Sequence, residues 1–354
     1  MTHFEKIAAG LKGRGLDAML VTSEPGEFYA MGFHGEGMAF ITPDKTWYYT
    51  DTRYIEAARQ LIAGAEVALP PKGSSYRKLA AQLVKEKGVA KLGFEEEYMP
   101  VGDYNQWTKE VDAEFVPASQ LLTDLRMVKD EGELAAMQEA QRITDEALLE
   151  ILNFIKPGLT EQEVAARLTY IMARKGAERN SFDPIVACGA NGSKPHAVPG
   201  PAVIEKGQFV TMDFGCKVGG YCSDMTRTVA VGRPSEEMER VYNTVLKAQL
   251  AGIKAAHAGV VGREVHEAGA KVIADAGYGE YFGHGFGHSL GIEIHENPRF
   301  SNLWDKPIPA GALLSAEPGI YLPGRFGVRI EDVIMLTEGG CIDITHSPKQ
   351  LIIL

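Results

Sequence analysis

Two stretches of this 354-residue chain repeat at one spacing, and the repeat restricts the fold more than any other feature. Gly158 and Gly259, Glu163 and Glu264, Val164 and Val265, and Gly176 and Gly277 all lie 101 residues apart. In each stretch apolar residues at helical spacing (131–155 and 236–256) lead to a glycine break and then a second helix (160–176 and about 263–277). Thr160 with Glu163 three residues on is a capping-box arrangement. A strand-rich stretch follows each helix pair. This order predicts an internal duplication: a pseudo-symmetric α+β domain whose two strand regions meet at a shared site.

Each strand-rich stretch carries two carboxylates placed symmetrically about a turn. Asp213 and Asp224 flank Val218-Gly219 in VTMDFGCKVGGYCSDMTRTVAVG, and Glu317 and Glu331 flank Gly324 in AEPGIYLPGRFGVRIED. Hairpins closing at those points set each pair face to face, with Cβ atoms about 4.5–5.5 Å apart. Like charges so placed destabilise a sheet unless a proton or a cation joins them. Two such pairs point to a two-metal site. Between them lies GYGEYFGHGFGHSLGIEIHENP, where His284 and His288 are four residues apart. The glycines at 283, 285, 287 and 291 argue against a helix and so against HExxH zinc chemistry. They suit a turn that approaches a metal closely, and His288 is the candidate fifth ligand. Four carboxylates and an imidazole favour Mn²⁺, Co²⁺ or Zn²⁺ and leave the choice to availability. A metal pair about 3.5–4 Å apart can share a hydroxide and polarise a carbonyl, so amide or ester hydrolysis is the expected reaction. His196 and His295 lie near the acidic hairpins, either as hydrogen-bond donors to substrate or as structural residues. Arg329 shares a strand face with Glu331 and either orients a carboxylate or neutralises it.

The first 120 or so residues alternate differently. Helices are expected over 6–15, 53–63 and 75–87, and strands over 18–22, 38–42, 46–50 and 91–94, which makes a small α/β domain. The division is set at 1–122 and 123–354. A net charge of −11 argues against nucleic acid as the main partner. No stretch approaches the roughly 20 apolar residues of a membrane span, and the N-terminus lacks the apolar core of a signal peptide. Four cysteines without CxxC spacing suggest reduced thiols and a cytoplasmic protein. Neither a Walker motif nor a GxSxG elbow is present.

With these residues in view, MDFGCKVGGYCSDMTRTVAVG, GHGFGHSLGIEIHENP, SAEPGIYLPGRFGVRIED and the closing THSPKQLIIL resemble the M24 metallopeptidases of the pita-bread fold, in their Xaa-Pro dipeptidase and aminopeptidase P branch. YAMGFHGEGMAFIT and TDTRYIEAA resemble the creatinase/prolidase N-terminal domain, so the likeness spans nearly the whole chain. The resemblance implies that Asp213, Asp224, His288, Glu317 and Glu331 hold two divalent ions, Mn²⁺ foremost, with Asp224 and Glu331 bridging. It implies that Glu317 also shuttles the proton of a metal-bridging hydroxide. His196, His284 and His295 would contact substrate or the tetrahedral intermediate, and Arg329 and Tyr321 would support the site. Proline-containing dipeptides or short peptides are the implied substrates and a homodimer the implied assembly. A creatinase-like amidinohydrolase, a methionine aminopeptidase and a non-catalytic peptide-binding relative are the alternatives. The complete ligand set weighs against the first and the last, and the N-terminal domain against the second.

Overall fold

A computed structural model describes residues 1–354, which divide into Met1–Arg126 and Met127–Leu354. The first unit begins with α1 (His3–Leu11), which starts earlier than its apolar spacing suggests because Thr2 and Glu5 form a capping box. Then come β1 (Ala18–Val21), α2 (Glu24–Met31), β2 (Met38–Ile41), β3 (Thr46–Tyr49), α3 (Ile55–Leu61), β4 (Glu66–Ala68), α4 (Tyr76–Lys87), β5 (Lys91–Phe94), α5 (Val101–Glu110), β6 (Glu114–Pro117) and α6 (Ser119–Met127). The six strands form one mixed sheet in the order β4-β3-β2-β1-β5-β6. Sequence reading misses α2 because Pro25-Gly26 looks like a breaker. Pro25 sits in the first turn, where its missing N–H costs nothing, and the Ser23 hydroxyl caps that turn. The expected division at 122/123 falls inside α6, whose Leu121 and Leu122 are both buried.

The second unit is built twice. Its first half runs α7 (Glu131–Ile151), α8 (Glu161–Arg174), β7 (Arg179–Asn180), β8 (Ile185–Cys188), β9 (Gln208–Phe214), β10 (Cys216–Val218), β11 (Tyr221–Cys222) and β12 (Met225–Val231). The second runs α9 (Glu236–Ala255), α10 (Gly262–Asp275), β13 (Gly287–Ser289), β14 (Glu296–Phe300), β15 (Leu313–Ala316), β16 (Gly319–Leu322), β17 (Phe326–Arg329), β18 (Asp332–Thr337) and β19 (Gly340–Asp343). Helices α8 and α10 begin and end 101 residues apart. Gly158 and Gly259 share a left-handed backbone, with φ of 97° and 86°, and so do Gly176 and Gly277. The bridge Thr160–Val203 recurs as Val261–Pro307. The antiparallel ladders β8-β9-β12 and β13-β15-β18 correspond strand for strand. Each half has its own apolar filling: Ile143, Leu148, Val164, Leu168, Val210 and Phe214 in the first, Val265, Phe286, Phe300, Leu314 and Ile334 in the second.

The acidic hairpins differ in register. The second closes at Gly324, φ 71°, with Gly319 opposite Arg329 and Ala316 opposite Asp332, so Glu317 and Glu331 fall across from each other as expected. The first closes at Gly219-Gly220, both at positive φ, and not at Val218-Gly219. A two-residue hairpin turn wants positive φ at both central positions, and β-branched Val218 resists it. The shift sets Asp213 opposite Thr226. Asp224 falls opposite Gly215, on the diagonal from Asp213 and not directly across.

Gly287 is fixed by space: a Cβ there would lie 1.9 Å from the Ser315 carbonyl oxygen, while one on Gly283 would meet nothing within 4 Å. Gly287→Ala is therefore expected to lower stability by on the order of 1–3 kcal/mol or more, read as a reduced urea midpoint. Gly283→Ala should leave the midpoint unchanged.

Candidate metal centre

Strand ends from both halves of the second unit converge on a cavity of about 540 Å³. Asp213, Asp224, His288, Glu317 and Glu331 all line it, with His196, His284, His295, Arg299 and Arg329. Asp213 is the penultimate residue of β9, Asp224 precedes β12, His288 is central in β13, and Glu317 and Glu331 sit at the breaks between β15 and β16 and between β17 and β18. Strand ends suit this task because the ladder stops there and frees side chains to aim at a common point.

The cluster is buried and uncompensated. Ligand atoms of Asp224, His288 and Glu331 lie within 4.8 Å of one another. His288 Nδ1 donates to the Ser289 carbonyl at 3.1 Å. Its Nε2 lone pair therefore faces Glu317 Oε1 at 3.3 Å and Asp224 Oδ2 at 3.6 Å. Burial, then the neighbouring Arg and His charges, push the His288 pKa down to about 3, so no proton fills that gap. Asp213 Oδ1, Asp224 Oδ1 and Glu331 Oε1 are buried without a hydrogen-bond partner. Burial, followed by the other carboxylates, raises the pKa values of Asp224 and Glu331 well above the usual range. Glu317 is pushed up to about 7, chiefly by burial and against the pull of Arg329. Orphaned oxygens around one imidazole lone pair are a donor set for a hard or borderline divalent cation.

Arg329 is the cation in direct contact with the cluster. Its guanidinium donates to Asp213 Oδ2 at 2.6 Å, to Thr226 Oγ1 at 3.0 Å, to Tyr321 Oη at 2.9 Å and to the Pro195 carbonyl at 3.2 Å. Sequence spacing put it on the face of Glu331, yet the carboxylate it grips belongs to the other half of the repeat. Tyr321, its pKa pushed up to about 12 by burial, donates to His284 Nε2 at 2.9 Å, and His284 Nδ1 donates to Gly285 O. Both ring nitrogens of His284 are thus engaged, unlike an imidazole free to meet substrate. His196 and His295 are exposed at the cavity, and the His295 ring packs edge-on against His288 with centroids 4.4 Å apart. The loop around His196 is tied down by fully buried Glu161, which accepts from Cys188 N, Asn191 Nδ2 and Gly200 N. Thr226 escaped the sequence reading, although its hydroxyl donates to Glu331 Oε2 at 2.7 Å. Only the register of β9 against β12 reveals it.

Residues 135–338 match Metallopeptidase family M24, and residues 4–128 match the creatinase/prolidase N-terminal domain. The chain belongs to metallopeptidase family M24. It is 33% identical over 351 residues to an Xaa-Pro dipeptidase of Pyrococcus horikoshii, covering 98% of each chain. The solved structure of an Xaa-Pro dipeptidase from Bacillus anthracis superimposes with a TM-score of 0.96 at 42% identity over 99% of both chains. An X-Pro aminopeptidase from Thermotoga maritima does so with 0.91 at 35%, over 96% of this chain and 98% of that one. The protein is a two-domain metallopeptidase of a divalent-metal-dependent family, and no helix is long and apolar enough to cross a membrane.

For this metallopeptidase the crowding has a signed pH consequence. Glu317 binds its proton more tightly folded, at about 7, than at the ordinary 4.5. That preference supports the metal-free fold fully below about pH 4.5 and is lost as pH rises through about 7. The metal-free protein should therefore lose unfolding temperature between pH 5 and 8, and saturating Mn²⁺ should remove the decline. Mn²⁺ uptake at pH 7 should also release protons, seen as a calorimetric enthalpy that varies with the buffer's ionisation heat.

Proposed function

We propose that this metallopeptidase hydrolyses the Xaa-Pro bond of dipeptides, and that Asp213, Asp224, His288, Glu317 and Glu331 hold two divalent ions, Mn²⁺ in the cell. Such a pair, when bound, supplies a water of lowered pKa and polarises the scissile carbonyl. Glu317 then holds and moves the proton, taking one from the attacking water and releasing it to the proline nitrogen as the bond breaks. His196 and His295 donate to the carbonyl oxygen as charge develops on it. The chain Arg329–Tyr321–His284 holds Asp213 and the wall of the cavity in place. A homodimer in the cytoplasm is part of the same reading, and its four free thiols suit a reducing compartment.

One observation favours a dipeptide over a longer chain. The Arg299 guanidinium lines the cavity without a hydrogen bond or ion pair of its own. Arg299 lies opposite His288 in the β13–β14 ladder, and its charge is felt by His288, His295 and Glu317. A dipeptide whose Xaa-Pro carbonyl sits at the cluster places its carboxylate one residue away, and a guanidinium recognises that group through paired N–H donors. In a tripeptide a neutral amide would stand there.

With Mn²⁺ present, Ala-Pro is expected to be cleaved faster than Ala-Pro-Ala or Ala-Pro-amide. Arg299→Leu should raise KM for Ala-Pro at least tenfold and leave the amide's KM unchanged. Preference for Ala-Pro-Ala would instead make the protein an aminopeptidase. Asp224→Asn should abolish turnover and remove bound Mn²⁺, measured by elemental analysis after dialysis. Wild-type turnover in that variant would sink the ligand assignment.

A further inference from the structure

Behind the carboxylate cluster lies a second set of buried charges, and in this one every group is satisfied. Arg227 in β12 is among the largest fully buried side chains. Its Nε donates to the Pro348 carbonyl at 2.9 Å. Nη1 donates to the carbonyls of Thr226 and Glu331, and Nη2 to Asp332 Oδ1 at 2.7 Å and the Ser347 carbonyl at 2.9 Å. A guanidinium has five N–H groups, and all five are used. Asp332, fully buried, also receives Gln249 Nε2 and Lys349 Nζ, each at 2.5 Å.

Three of these partners, Ser347, Pro348 and Lys349, belong to the C-terminal tail. That tail is pinned in turn by Asp145 of α7, whose carboxylate accepts from His346 N at 3.0 Å, Ser347 N at 2.9 Å and Ser347 Oγ at 2.5 Å. Beyond it the tail pairs with the far end of β12 through Ala230 and Gly232. Glu331 is held from both sides of its peptide unit: its N–H donates to the Thr226 carbonyl at 3.1 Å, and its own carbonyl accepts from Arg227.

We propose that Arg227 and the C-terminal tail form a clamp that positions Glu331 for divalent-metal binding, a role that rests on the ligand assignment made above. Without the tail, two guanidinium N–H groups lose their partners in a buried site. Arg227 must then turn to recover them, and Glu331 loses the anchor on its carbonyl. The groups that orient metal ligands commonly matter ten- to a hundredfold for affinity.

The test is Mn²⁺ titration calorimetry on Arg227→Lys, which keeps the charge beside Asp332 but lacks the planar fork that serves four carbonyls at once. Its Mn²⁺ Kd should rise about tenfold or more. A merely structural role would lower the unfolding temperature and leave the Kd of the folded protein unchanged, which would overturn the clamp. Ser347→Ala, which loosens the tail at Asp145 and touches neither Glu331 nor the metal, should move the Kd in the same direction. It stands as the deciding variant if Arg227→Lys fails to fold, and a wild-type Kd there would refute the proposal. Glu331→Gln run in parallel separates the two readings. If it binds Mn²⁺ as wild type does, the ligand assignment fails; if it does not and the clamp variants do, only the clamp fails.

Discussion

Four carboxylates share one pocket in which only one cation, Arg329, is hydrogen-bonded to any of them, and the catalytic unit is arranged around that imbalance. Arg329 neutralises Asp213 at 2.6 Å. Burial and the neighbouring carboxylates, Asp213 included, still raise the pKa values of Asp224, Glu317 and Glu331. A folded chain tolerates this only if protons or cations enter, so the cluster is costly to the empty protein and favourable once filled. The orphaned oxygens of Asp213, Asp224 and Glu331 are the structural mark of that condition.

The duplication explains how such a site is assembled without a loop-built cradle. Each half delivers an interrupted hairpin, and each break places a carboxylate where the ladder no longer fixes its direction. The halves have since diverged. His288 stands 101 residues after Ala187, so at this position only the second half has an imidazole. Gln141 of α7 accepts from the Asp224 N–H at 3.4 Å, whereas Gln249 of α9 donates to Asp332. Similar helices thus support different residues at the two hairpins.

What the sequence disclosed follows the range of the interactions involved. The capping box at Thr160 is a three-residue affair, and the repeat of α8 and α10 was legible because glycines at positive φ mark both ends of each; the boxes at Thr2 and Asp130 emerge only in the structure. The five candidate ligands were visible as residue types beside turns. Their register was only half visible, since symmetry about Val218-Gly219 ignored the backbone that Val218 resists. Contacts between distant residues left no local trace: Arg329 reaches Asp213 across 116 residues, Thr226 reaches Glu331 across 105, and Glu161 reaches the loop around His196 across 27 to 39. Arg299 was overlooked because an arginine in ENPRF looks like any exposed charge until the cavity is seen.

Strand alternation finally accounts for how reactive and inert charges coexist at adjacent positions. Thr226 and Glu331 point to the carboxylate-cluster side, and their immediate neighbours Arg227 and Asp332 face the opposite side, because successive side chains in extended chain point apart. On the inert side each donor and acceptor of Arg227 and Asp332 is met, and the ion pair lies at 1% and 0% exposure. A buried pair is a poor source of net stability but a strong source of specific geometry when fully hydrogen-bonded. On the reactive side Glu331 Oε1 has no partner at all. Fixing the backbone from behind while leaving one carboxylate oxygen unsatisfied in front limits the compromise. Were the same atoms to serve both purposes, every bond that steadied Glu331 would also occupy an oxygen that a cation needs.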